Sequence, residues 1–283
     1  MGYKTLISTE DLQKNIADPD WIIFDCSFFL DDTDKGRRDY LTEHIPGAQY
    51  AHLDDDLSGP VIPGVTGRHP LPQIKNIAGT FSNMGIDKDV QVIVYDTRGG
   101  AIAAVRLWWM LRWLGHDNVA VLDGGLVKWL SEGRPISSSI ETSSVREFLP
   151  KPQSNVIVGV NEVDFARNDP LHRVIDARAE ERYAGRKEPI DPIAGHIPGT
   201  VNSPYEDLLS DGGNFKPVDE LQSIYSQLLM DTSPENAIFY CGSGVTSIMH
   251  LLAMEHIGIV GSRLYVGSWS EWITDENRPI AAI

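Results

Sequence analysis

A chain of 283 residues, 42% of them hydrophobic and 23% charged, is long enough for two globular domains. Its formal net charge of −16 disfavours nucleic acid and anionic membranes as partners, so an anionic substrate would need a local basic site. Two cysteines, Cys26 and Cys241, exclude a disulfide framework. The N-terminal residues lack the apolar core of a signal peptide, and no apolar run reaches the ~20 residues of a membrane span. We therefore expect a cytoplasmic protein.

The first half of the chain alternates short β-branched runs with helical patterns. Its predicted elements are, in order, a strand at 21–25, a turn at 44–48, a strand at 92–96, a helix over 101–114, a strand at 121–125 and the closing Trp129. Alternation of this kind predicts a mostly parallel sheet flanked by helices.

The second half repeats this order about 145–150 residues later, far beyond the period of a solenoid repeat. Its elements are a strand at 173–176, a turn at 196–200, a strand at 237–241, a strand at 264–267 and the closing Trp272. We therefore predict an α/β protein of two duplicated domains, 1–135 and 156–283. The Ser-rich and then Pro-containing stretch 136–155 reads as the linker between them.

The segment Cys241-Gly242-Ser243-Gly244-Val245-Thr246 follows the predicted strand at 237–240 and precedes a predicted helix. Binding sites in parallel sheets lie beyond the carboxyl ends of the strands. There the N–H groups of the loop and the following helix favour an anion, and hence a thiolate. The matching residue in the first half is Asp96, which cannot act as a thiol nucleophile and is expected to cap the following helix.

Four functions are compatible with a cysteine in such a loop. A cysteine phosphatase needs an arginine six residues later to clamp the phosphoryl group, but that position is Ser247. A redox thiol needs a resolving partner, and Cys26 is distant in sequence. The remaining possibilities are a binding domain with an incidental thiol and sulfur transfer through a cysteine persulfide. The compact loop suits the persulfide best.

Three further signatures carry a resemblance to a known family. They are the paired His-Ile-Pro-Gly turns, which begin at His44 and His196, and the closing Gly-Ser-Trp-Ser-Glu-Trp at 267–272. With them, the chain resembles the two-domain rhodanese superfamily over nearly its whole length. The resemblance implies two tandem rhodanese-like domains, of which only the second is catalytic. Because both halves keep the turn histidine, we expect structural hydrogen bonds from His44 and His196.

The resemblance also implies roles for individual residues. Arg182 matches the arginine that binds the substrate carboxylate. The family's second substrate arginine matches Ile190, a departure for which Arg186 or Lys187 is a candidate substitute. A relay described for the family maps onto Asp54, His69 and Ser243. The loop residues expected to hold the substrate sulfur beside the Cys241 nucleophile are Gly242, Gly244, Val245 and Thr246.

The uncharged Gly242-Ser243-Gly244 segment is typical of family members that act on 3-mercaptopyruvate, whereas relatives that prefer thiosulfate carry basic residues there. The resemblance thus implies a sulfurtransferase that passes sulfur from 3-mercaptopyruvate to a thiol, thioredoxin-like or cyanide acceptor and releases pyruvate. Two alternatives stay open: a thiosulfate:cyanide sulfurtransferase, and a persulfide carrier with little turnover. No sequence motif indicates a metal site, a nucleotide or another cofactor.

Overall fold

The computed structural model describes residues 2–283, which form two compact units. Unit 1 comprises residues up to 59, 72–153 and 210–215, and unit 2 comprises 60–71, 154–209 and 216–283. Within the described residues, no helix combines the length and apolarity needed to cross a membrane.

Unit 1 is built on five strands and five helices. In chain order these are β1 (Leu6–Ile7), α1 (Thr9–Asn15), β2 (Trp21–Asp25), α2 (Lys35–Thr42), β3 (Ala48–Tyr50), α3 (Ile74–Asn83), β4 (Gln91–Tyr95), α4 (Ala103–Trp113), β5 (Val119–Leu122) and α5 (Gly125–Ser131). All strand pairs are parallel, in the order β1-β5-β4-β2-β3.

Unit 2 has the same number of strands and helices, with 3₁₀ turns at Tyr205–Leu208 and Pro234–Asn236. They are β6 (Ile157–Val158), α6 (Val160–Ala166), β7 (Arg173–Asp176), α7 (Glu180–Tyr183), β8 (Val201–Asn202), α8 (Val218–Leu229), β9 (Ala237–Tyr240), α9 (Ile248–His256), β10 (Arg263–Tyr265) and α10 (Ser268–Trp272). The strand order β6-β10-β9-β7-β8 reproduces that of unit 1, again with parallel pairs only. The predicted α/β duplication is therefore confirmed.

Equivalent side chains close the two cores in the same way. Trp129 is fully buried and donates its indole N–H to the carbonyl of Pro135 at 2.7 Å. Trp272 is equally buried and donates to the carbonyl of Pro279 at 3.0 Å. A buried indole needs such an acceptor, so each tryptophan ties the chain after its last helix to the core.

The two His-Ile-Pro-Gly turns also match in detail. His44 Nδ1 lies 2.6 Å from the carbonyl of Tyr40 and stacks on its ring, and His196 has the same relation to Tyr183 at 2.7 Å. The structural role expected for both histidines is confirmed.

Two short segments depart from the predicted domain bounds. Residues 60–71 belong to unit 2, where the Arg68 N–H donates to Ser270 Oγ. Residues 210–215 belong to unit 1, where Asn214 and Phe215 donate to the Asp123 carboxylate. Both placements rest on contacts between residues far apart in sequence, which a composition-based boundary cannot detect. Within the predicted linker, unit 1 ends at 153.

Asp25 and Asp176 end equivalent central strands, β2 and β7, but their surroundings differ. Asp176 forms an ion pair with Arg178 at 2.6 Å, and both side chains are buried. Asp25 has Ser27 at the position of Arg178 and accepts its N–H at 2.8 Å. Burial without a cation raises the pKa of Asp25 to about 6, although hydrogen bonds from Ser27 and Tyr95 lower it.

Replacing Asp25 by Asn should make the free energy of unfolding of the protein less dependent on pH. A pKa raised from 3.8 to about 6 means that Asp25 contributes most below pH 4 and loses that contribution as pH rises through 6. We compare the two proteins by the free energy of unfolding of Asp25→Asn minus that of the parent. This difference should be about 2 kcal/mol more favourable to the variant at pH 7 than at pH 4. Urea denaturation at the two pH values measures this, and parallel curves for the two proteins would contradict it.

Candidate active site

The loop from Cys241 to Ser247 joins strand β9 to helix α9. Gly244 has a φ of +70°, and a Cβ there would lie 2.2 Å from the carbonyl oxygen of Val266. Only glycine tolerates both the left-handed backbone conformation and the close approach of the Val266 carbonyl. The tight turn that the sequence predicts is thus fixed by Gly244.

The peptide groups at the start of the loop are held by the segment around α10. The carbonyls of Cys241 and Gly242 accept the N–H groups of Trp269 and Ser270 at 3.0 and 2.9 Å, and the Cys241 N–H donates to Ser268 Oγ at 3.1 Å. These bonds direct the carbonyls away from the sulfur. The N–H groups of the later loop residues are left to face it.

The Cys241 thiol is buried, and burial alone would raise its pKa. The Thr246 hydroxyl and the N–H groups of Ser243 and Ser247 donate hydrogen bonds to the sulfur, so the pKa of Cys241 is lowered from its ordinary value. Cys26 is the natural contrast. Its burial and the nearby carboxylates of Asp25 and Asp96 raise its pKa well above the ordinary value. The loop therefore favours the thiolate, the reactive form of cysteine.

Alkylation by iodoacetamide should modify Cys241 and leave Cys26 untouched at neutral pH. The pH of half-maximal rate should lie below that of an ordinary thiol. Thr246→Val should move it upward, because one hydrogen bond to the thiolate is lost. Peptide mass spectrometry after timed labelling measures both rates, and the internal control is Cys26. Equal labelling of the two cysteines would contradict the lowered pKa.

The equivalent loop of unit 1 already contains a carboxyl group. The Asp96 carboxylate is buried and accepts the N–H groups of Arg98, Gly100 and Ile102 at 2.8–2.9 Å. Burial raises the pKa of Asp96, and these donors lower it in part. The expectation that Asp96 satisfies the N–H groups ahead of α4 is confirmed. Unit 1 thus shows that the N–H groups of such a loop converge on the oxygens of a carboxyl group.

Ser243 and His69 meet beside the loop. Ser243 Oγ lies 2.8 Å from His69 Nδ1, and both side chains are buried. The hydrogen bond can run in either direction, depending on the imidazole tautomer. Two of the three predicted relay residues are therefore in contact. Asp54 belongs to unit 1, where its N–H lies 3.2 Å from His52 Nδ1, and its part in a relay stays a prediction.

The other loop residues named in the sequence analysis surround Cys241, and their part in holding the substrate sulfur stays a prediction. Gly242, Gly244 and Val245 are buried, and the Val245 carbonyl begins the hydrogen bonds of the helix at Ile248. Thr246 contacts the Cys241 sulfur through its hydroxyl.

Arg182 reaches the loop from helix α7. Its guanidinium bonds to the buried carboxylates of Glu188, at 2.8 Å, and Asp191, at 3.0 Å. Glu188 also pairs with Arg178 at 3.3 Å. A Cβ at Gly242 would lie 3.5 Å from Arg182 Nη2, so this charge stands directly over the loop.

Arg186 is not brought to the loop. Its guanidinium pairs with Glu180 at 2.7 Å on the surface, and about half of its side chain is exposed. The second guanidinium beside Gly242 is that of Arg68, which the sequence analysis missed. The only available signal was its position immediately before His69.

The rhodanese-like domain family matches residues 8–132 and 160–275. A Pseudomonas aeruginosa protein described as a probable 3-mercaptopyruvate sulfurtransferase is 41% identical over 99% of both chains. The thiosulfate sulfurtransferase of Rattus norvegicus is 31% identical over 95% of this chain and 92% of its own. The solved 3-mercaptopyruvate sulfurtransferase from Leishmania major superposes with a TM-score of 0.84 at 30% identity, covering 95% of this chain and 74% of that one.

The chain belongs to the rhodanese-like family, in its two-domain form. It is a sulfurtransferase, as are the relatives that match its full length. Such enzymes move sulfur from a donor to a thiol or cyanide acceptor. Among the described residues, no cluster of His, Cys, Asp or Glu could hold a metal ion.

Proposed function

We propose that this sulfurtransferase takes its sulfur from 3-mercaptopyruvate, holds it as a Cys241 persulfide and passes it to a thiol, thioredoxin-like or cyanide acceptor in the cytoplasm. The observation that carries the proposal is the lowered pKa of a buried thiol in a loop of inward N–H groups, with guanidinium groups directly over Gly242. The similarity to proteins named for 3-mercaptopyruvate supports the same donor.

In the first half-reaction, the Cys241 thiolate attacks the sulfur of 3-mercaptopyruvate. A sulfur–sulfur bond forms, the carbon–sulfur bond breaks, and its electron pair passes to the enolate of pyruvate. A proton from Ser243, hydrogen-bonded to His69, converts the enolate carbon to the methyl group. The thiol proton of the donor then reprotonates the Ser243–His69 pair, and pyruvate leaves.

In the second half-reaction, the acceptor thiolate or cyanide attacks the outer sulfur and regenerates the Cys241 thiolate. Between the two steps, the loop N–H groups stabilise the charge on the persulfide, as those of unit 1 stabilise the Asp96 carboxylate. The same loop can thus hold a thiolate and a persulfide without rearranging its backbone.

Charge balance favours a monoanionic donor over thiosulfate. The positive charges of Arg68 and Arg182 are matched by the buried carboxylates of Asp191 and Glu188. A dianion in this nearly neutral surrounding is less well compensated than one planar carboxylate that uses the remaining guanidinium donors.

The donor assignment is tested by steady-state kinetics with cyanide as acceptor. We expect kcat/KM for 3-mercaptopyruvate to exceed that for thiosulfate by at least about tenfold, equivalent to one 1.4 kcal/mol interaction. A preference for thiosulfate would overturn the assignment and favour the alternative donor.

Cys241→Ser should release no pyruvate from 3-mercaptopyruvate, and Cys26→Ser is the matched control with full activity. Intact mass of the protein after donor treatment without acceptor should show one extra sulfur atom, lost on reduction. Pyruvate formation by Cys241→Ser at the parent rate would contradict the persulfide mechanism.

A further inference from the structure

The space above Gly242 is filled by two guanidinium groups from different parts of unit 2. A Cβ built on Gly242 would lie 3.0 Å from Arg68 Nη2, and 3.5 and 3.7 Å from Nη2 and Nη1 of Arg182. Gly242 does not have a positive φ, so its lack of a side chain serves this close approach rather than a turn. Both charges therefore stand where a side chain at Gly242 would lie, beside the residue that follows the nucleophile.

Arg68 is held in place at its backbone and at its side chain. Its N–H donates to Ser270 Oγ at 3.0 Å, and Gly67 packs so closely that a Cβ there would lie 2.4 Å from the Gly267 carbonyl oxygen. Arg68 Nη1 bonds to the carboxylate of Asp191, whose side chain is 2% exposed. The backbone of Arg68 is thus held by the same α10 segment that holds the Cys241 loop, and its guanidinium is held by Asp191.

Asp191 sets the spacing of the two arginines. Its Oδ1 bonds to Arg68 and its Oδ2 to Arg182, so one buried carboxylate holds two like charges side by side. Arg182 uses Nε and Nη2 for its carboxylate partners. Within residues 2–283, Arg182 Nη1 and Arg68 Nη2 have no hydrogen-bond acceptor, and Arg68 Nε is buried without one. Two guanidinium groups with spare donors are the arrangement that binds a planar carboxylate.

We propose that Arg68, together with Arg182, binds the carboxylate of the sulfur donor, and that Asp191 is the positioning residue that aligns the two. This inference rests on the proposed function, because it assumes a donor with a carboxylate. It assigns the second cationic contact to Arg68, since the residue next to Asp191 in sequence is the uncharged Ile190 and Arg186 is paired at the surface. The site then selects small thiols that bear a carboxylate next to a carbonyl.

The test compares two donors that differ only in the carboxylate. Mercaptoacetone keeps the thiol and carbonyl of 3-mercaptopyruvate but has a methyl group in place of the carboxylate. Arg68→Gln should lower kcat/KM for 3-mercaptopyruvate roughly 10- to 100-fold, mainly through KM, because a charge-assisted pair is lost. The same variant should leave kcat/KM for mercaptoacetone within about twofold of the parent.

Further variants separate binding from folding. Arg68→Lys keeps a charge but not the planar fork, so it should fold and still raise KM for 3-mercaptopyruvate by about tenfold. Asp191→Asn should raise it as well, through both arginines. Arg38→Gln, which removes an exposed ion pair to Asp32, is the matched control and should behave as the parent. Inhibition by pyruvate should weaken in parallel with KM in the Arg68 variants.

The outcomes distinguish a failure of the proposed function from a failure of the role proposed for Arg68. If the parent enzyme does not release pyruvate from 3-mercaptopyruvate, the proposed function fails. If the parent does so but Arg68→Gln and Arg68→Lys keep its KM, the role of Arg68 alone is overturned. An equal loss on both donors also overturns it, since that marks a structural defect and not a contact to the carboxylate.

Discussion

A chain of alternating charges connects the core of unit 2 to its catalytic loop. Starting at the end of strand β7, acids and arginines follow one another in the order Asp176, Arg178, Glu188, Arg182, Asp191 and Arg68. The three carboxylates are nearly inaccessible to solvent. Removal of one partner from a buried pair leaves an uncompensated charge, at a cost of about 3–5 kcal/mol. Each member therefore fixes the next, and the guanidinium groups over the loop are positioned from the sheet outward.

This arrangement explains why the two units differ although their folds match. Unit 1 has the same strand order and the same buried aspartate at the end of its central strand, but Ser27 stands where unit 2 has Arg178. Without that first arginine, the chain of charges cannot begin, and Asp25 keeps a raised pKa. The two differences agree chemically, because the carboxylate of Asp96 occupies the loop of unit 1 and leaves no anionic ligand there for guanidinium groups to bind.

The parts that the sequence predicted are those determined locally. Strand β9, the tight turn at Gly244 and helix α9 follow from hydrophobic runs and glycine placement over adjacent residues, and the repeat confirmed their order. The Arg68 contact could not be found in this way, because 123 residues separate Arg68 from Asp191. Arg186 was favoured for its nearness in sequence to Ile190, yet its side chain points to Glu180 at the surface. The contact between His69 and Ser243 spans 174 residues, and only the resemblance to the family suggested it.

The loops of the two units differ in whether their acceptor changes during the reaction. A carboxylate attached to the backbone cannot dissociate, so the loop of unit 1 is permanently saturated, while that of unit 2 exchanges its ligand in every turnover. In both loops the N–H groups have an acceptor, the Asp96 carboxylate in unit 1 and the Cys241 sulfur in unit 2. A loop of this kind can therefore serve as a fixed structural element when its acceptor is a side-chain carboxylate, and as a reaction site when its acceptor is a sulfur that gains and loses an atom in each turnover.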